Sequence, residues 1–116
     1  MTEWLPAIKD FIIADVVRWT ENIWSEKKRG RGKNAKNVLI GKQQVTGQIT
    51  LIDDYVHVKV IEAVMLEQNG AKDSHLRKAD EILRKKPETL INGNVERLAW
   101  SDEAARASVI TGKPES

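Results

Sequence analysis

Apolar residues near the start of the chain recur at spacings of three and four. Leu5, Ile8, Ile12, Val16, Trp19 and Ile23 define a stripe; Ile13, Val17 and Trp24 widen it, and Phe11 adds to it. Lys9, Asp10, Arg18 and Glu21 fall mainly on the opposite side. That spacing predicts an amphipathic helix over residues 5–26. Thr2 is a candidate N-cap, and Pro6 suits a first turn, where its missing N–H costs nothing. The stripe is wide for a lone surface helix, so packing against a sheet or a second chain is expected.

The pattern changes to strict alternation further on. Val38-Leu39-Ile40 is a short apolar run ended by Gly41, and residues 44–52 and 55–66 flank Asp53-Asp54. A two-residue turn there predicts a hairpin spanning about 44–66, with Ile52 opposite Tyr55, Leu51 opposite Val56, Ile49 opposite Val58 and Gly47 opposite Val60. Opposed residues share a face. One face then holds Ile49, Leu51, Val56, Val58 and Val60; the other holds Gln48, Thr50, Ile52, Tyr55, His57 and Lys59. A one-residue slip would mix the two sets. Gly47 opposite a valine marks a bend or a close backbone approach.

The remaining segments are shorter. Residues 67–75 contain Asn69-Gly70 and Asp73-Ser74 and predict a loop. Leu76 to Lys86 has helix propensity, with Ser74 as a cap and Pro87 as the stop; a strand through 81–85 is the alternative. Residues 94–100 predict one or two helical turns. Ser101, Asp102 and Glu103 start a helix that runs to about Ile110, with acids in the first turn where the dipole favours them.

Between the first helix and the strands lies Lys27-Lys28-Arg29-Gly30-Arg31-Gly32-Lys33-Asn34-Ala35-Lys36-Asn37, with six bases and no acid. Glycine, asparagine and charge repulsion oppose helix and strand alike, so 27–37 predicts a flexible linker. The expected architecture is α+β: an N-terminal amphipathic helix, a small antiparallel sheet, and short C-terminal helices. The sheet fits a half-closed barrel or an open meander. Residues 1–112 are expected to form one domain, with 113–116 as a frayed tail.

Composition narrows the function classes. The chain has 116 residues, 41% of them hydrophobic, which suits one small globular domain. No run of about 18 apolar residues occurs, so no membrane partner is expected. Glu3, Lys9 and Asp10 argue against a signal peptide, and the absence of cysteine removes disulfides and thiolate chemistry. A cytoplasmic, intracellular protein without cofactor or metal is the expectation.

The net charge of +2 conceals a strong asymmetry. The basic run lies between net acidic segments. Lys27, Lys28, Arg29, Arg31, Lys33 and Lys36 can displace counterions from the backbone of DNA or RNA. Tyr55, His57 and Lys59 on the polar face of the hairpin would add a stacking ring and phosphate contacts to the same site. Arg77, Lys78, Arg84, Lys85 and Lys86 interleave with Asp80 and Glu81 and fit a salt-laced solvated face. Trp19 and Trp100 suit core packing. Trp4 and Trp24 flank the stripe and suit anchors for a protein partner or a homo-oligomer.

A metal-dependent nuclease built on Asp53, Asp54, Glu62 and Lys59 is disfavoured. Turn aspartates need no metal, and Glu62 would face away from Lys59. No catalytic residue is assigned. The expected function is non-catalytic binding of nucleic acid without strong sequence specificity. The alternative is an assembly subunit that buries the stripe of helix 5–26.

Overall fold

The computed structural model describes residues 3–7, 11–29 and 36–111. Six strands form one antiparallel sheet. In chain order they are β1 (Trp4–Pro6), β2 (Val16–Arg29), β3 (Lys36–Ile52), β4 (Val56–Gln68), β5 (Ile82–Lys85) and β6 (Glu96–Leu98). Two short helices, α1 (Pro87–Asn92) and α2 (Glu103–Thr111), flank β6. The strand order is β1-β6-β2-β3-β4-β5, so the last strand inserts between the first two.

The N-terminal amphipathic helix does not exist. Described residues of 5–26 lie in β1, an irregular connection and β2, while Ile8, Lys9 and Asp10, like Thr2, lie outside the described residues. Val17, Trp19 and Ile23 are buried on one face of β2, with Glu21 between them on the same face. Val16 belongs to the opposite face, so the helical spacing mixed two faces of a strand. Two further helix expectations are corrected. Residues 82–85 form β5, the strand alternative, because they complete the sheet against Val56–Lys59. Pro87 begins α1 instead of ending a helix, which its fixed φ favours. Residues 96–98 pair with both β1 and β2 and are strand, not helical turns.

The β3–β4 hairpin keeps the expected central pairs, Ile49 with Val58 and Gly47 with Val60. Near the turn the register differs: Ile52 faces Val56 and Leu51 faces His57, because Thr50 is an extra residue on β3. This bulge turns Leu51 outward, leaving it 48% exposed, while Ile49, Val56, Val58 and Val60 are buried. Gly47 makes the close approach its sequence context indicated. A Cβ there would meet Val58 Cγ1 at 2.4 Å and the Lys59 carbonyl oxygen at 2.7 Å.

The core forms on one face of the sheet. Val17, Trp19, Val45, Ile49, Val56, Val58, Val60 and Leu83 come from the strands, and Leu90 of α1 and Val95 join them. Arg106 of α2 reaches the start of β2, where its guanidinium binds the fully buried Asp15 carboxylate at 2.6 and 2.9 Å. The Trp100 indole N–H donates to the same carboxylate at 2.9 Å. Trp19 packs in the core as expected, whereas Trp100 is only half-buried. No helix among the described residues is long and apolar enough to cross a membrane.

Candidate nucleic-acid interface

β2 and β3, of 14 and 17 residues, run past the ends of the strands beside them. The last pair between β3 and β4 is Gly41 with Gln68. Beyond it, β2 and β3 continue together through Trp24 with Leu39, Lys28 with Asn37, and Arg29 with Lys36. Among the described residues no third strand joins this part. Trp24 to Arg29 therefore belong to a two-stranded arm; β2 bulges between Trp24 and Lys28, so these six residues pair with only the four from Leu39 to Lys36, about 10 Å at ~3.3 Å per residue. The arm is held at its root. The Ile40 carbonyl accepts from the Asn69 and Ala71 N–H groups at 2.8 and 3.0 Å. Gly41 permits this packing, since a Cβ there would lie 2.6 Å from the Glu67 carbonyl oxygen.

The two ends of the basic run lie on the arm. Lys27, Lys28 and Arg29 continue β2, and Lys36 and Asn37 begin β3. The expected flexible linker over 27–37 is corrected at both ends, because a ladder already formed along β2 and β3 extends into it. Arg31 and Lys33 lie outside the described residues.

Tyr55, His57 and Lys59 do not join this site. The turn between β3 and β4 is at the other end of β3, about 50 Å from Lys36 along the strand, and Lys59 is about 40 Å away by the same measure. Their side chains are also engaged locally. His57 Nε2 lies 3.0 Å from Asp53 Oδ1, and Lys59 Nζ lies 3.6 Å from Asp80. The Arg84 guanidinium stacks 4.8 Å from the centre of the Tyr55 ring. Asp53 also accepts from the Tyr55 N–H. That bond first, and His57 second, hold its carboxyl below the ordinary range.

Of the two anchor tryptophans, Trp4 lies beneath the Arg18 guanidinium at 4.2 Å, and Arg18 in turn pairs with Glu96 at 2.9 Å. Trp24 stands at the root of the arm and is 49% exposed. It borders two recesses. One, of about 500 Å³, also involves Asn22, Lys42, Thr89, Asn92 and Asn94. The other, of about 570 Å³, runs toward Ser74, His75 and Lys78.

Glu21 lies between these recesses, beneath the arm. It accepts from Arg77 Nε at 2.7 Å and Lys85 Nζ at 3.1 Å. Arg77 also donates to Glu81 at 3.0 Å, and its backbone N–H donates to Gln43 Oε1 at 2.9 Å. Burial by itself would raise the Glu21 carboxyl. Hydrogen bonding to Arg77 and the charges of Lys85 and Arg77 outweigh burial and hold it below its ordinary value. The expected salt-laced solvated face is corrected: Arg77 keeps Glu81 as a partner, but Arg77 and Lys85 meet across Glu21 in a part-buried bridge from β2 to the β4–β5 connection and β5. Arg84 is elsewhere, on Tyr55.

Sequence reasoning placed Trp24 as an anchor but missed its position beside the cations. That position depends on where β4 ends, for which the sequence around Trp24 carries no signal. Comparison with family models, with curated proteins and with solved structures finds no match for this chain.

Proposed function

We propose that the chain is a non-catalytic nucleic-acid-binding protein that holds the phosphate backbone with its basic β-arm. One observation carries this. The densest run of cations in the sequence starts and finishes on the paired strands of a two-stranded projection with no third strand beside it among the described residues. A projecting ribbon can present cations to a polyanion without bringing the acidic parts of the chain against it. Cations read charge and shape, so strong sequence specificity is not part of the proposal. The site comprises Lys27, Lys28, Arg29, Arg31, Lys33 and Lys36, without Tyr55, His57 and Lys59.

The test is binding of a fluorescently labelled oligonucleotide at several salt concentrations. If all six cations contact duplex phosphates, log K falls against log salt with a slope of about −5, and with about −4 for a single strand. Glutamine at all six positions should abolish the slope and most of the affinity. Equal binding by the neutralised variant, or none by the wild type at low salt, overturns the proposal. The alternative assembly role loses the surface assigned to it, because Val17, Trp19 and Ile23 are buried within the chain's own fold.

A further inference from the structure

The four tryptophans are placed differently. Trp19 is in the core at 2% exposure, Trp4 is covered by Arg18, and Trp100 donates to Asp15. Trp24 remains half-exposed on β2, between two shifts of the β2–β3 register and at the point where β4 no longer flanks the hairpin. The recess of about 500 Å³ that it borders is within the size range of small-ligand sites, roughly 300–1,000 Å³. Its lining is chemically suited to a base. Asn22, Asn92 and Asn94 each carry an amide with both donors and an acceptor, and Thr89 adds a hydroxyl. Arg77 and Lys85 on the same lining are already matched by Glu21. Lys42 is held only at 3.9 Å by an exposed Glu67, so its ammonium group can turn to a phosphate.

We infer that this recess takes one unstacked base of a single-stranded nucleic acid, laid against Trp24, with the strand's backbone continuing onto the basic arm. Lys28 pairs with Asn37, two residues along β3 from the Leu39 that pairs with Trp24, so the two positions lie about 7 Å apart along the ladder and a base at the ring brings its neighbouring phosphates to the basic strand. Aromatic stacking beside a cationic track is the general means of holding single strands without reading sequence. A paired base in a duplex keeps its faces against its neighbours and cannot lie on the ring. The inference rests on the nucleic-acid proposal above and adds the strandedness and the stacking residue.

The probes are a labelled twelve-residue oligothymidylate and the same strand annealed to oligoadenylate, both at low salt. The proteins are wild type, Trp24→Ala, Trp24→Phe and the six-glutamine arm variant, each checked for a cooperative melt. The wild type should bind the single strand more tightly than the duplex. Trp24→Ala should weaken single-strand binding by roughly tenfold to a hundredfold, the effect of removing one stacking platform. It should leave duplex binding unchanged, while Trp24→Phe keeps most of the single-strand affinity. Full affinity in Trp24→Ala, or a preference for duplex in the wild type, overturns the stacking site. If the arm variant still loses binding in those cases, the nucleic-acid proposal stands without it. No binding of either probe by the wild type overturns both.

Discussion

Asp15 and Arg106 are separated by 91 residues, yet their side chains form the most enclosed ion pair among the described residues. Every acceptor position that the Asp15 carboxylate offers has a donor nearby: the Ile12 N–H, the Trp100 indole and the Arg106 guanidinium. Such a pair contributes little beyond what two apolar residues would, but removing one member strands the other charge in the interior. Arg106→Ala should therefore cost about 3–5 kcal/mol, measured by urea unfolding. Asp15→Asn combined with Arg106→Met should recover part of that loss, since the amide oxygen still accepts from Trp100. Ala14, next to Asp15, has a φ of 79°, so the chain turns sharply to present this carboxylate inward.

Among the elements, α2 is fastened by a second, exposed contact. Arg97 of β6 forms two bonds with Glu103, at 2.6 and 3.0 Å, and the Trp100 N–H donates to Glu103 at 2.8 Å. The Arg97 bonds first, and the Trp100 N–H second, lower the Glu103 carboxyl from 4.5 to about 2. A carboxyl depressed in the folded state stabilises fully above its unfolded value and loses that contribution as pH falls through its folded value. The urea midpoints of wild type and Glu103→Gln should therefore differ most above pH 4.5 and converge as pH falls towards about 2. The start of α2 at Ser101-Asp102-Glu103 was legible, and Asp102 Oδ1 does accept from the Ala105 N–H at 3.1 Å. The central β3–β4 register was legible as well, because alternation there is uninterrupted. β2 was not. Its inward positions read Val17, Trp19, Glu21 and Ile23, and the charged Glu21 breaks the period of two. Only Arg77 and Lys85, more than fifty residues away, make an inward glutamate tolerable. β5 was open for a related reason, since four residues become a strand through their partners more than through their own preference.

At the scale of the whole molecule the long hairpin dominates. The principal extents are 63 × 32 × 22 Å, with a radius of gyration of 16.7 Å. A compact chain of this length would have about 13 Å. Small-angle scattering should find this excess, and replacing residues 25–38 with a tight Asn-Gly turn should lower the radius while leaving the melting temperature nearly unchanged. The basic run was legible in the sequence as a candidate site. Its mounting on an arm, and its distance from His57, follow from strand lengths that only pairing decides. The insertion of β6 between β1 and β2 bears on the order in which the molecule assembles. β2, β3 and β4 follow one another in the chain and can zip by local closure, whereas β1 has no strand to pair with until β6 arrives. Through that interval Asp15 lacks Arg106, and a bare carboxylate resists leaving water. The buried charge thus acts as a gatekeeper on the waiting edge of β2, disfavouring collapse or intermolecular pairing there until the C-terminal helix brings its counterion.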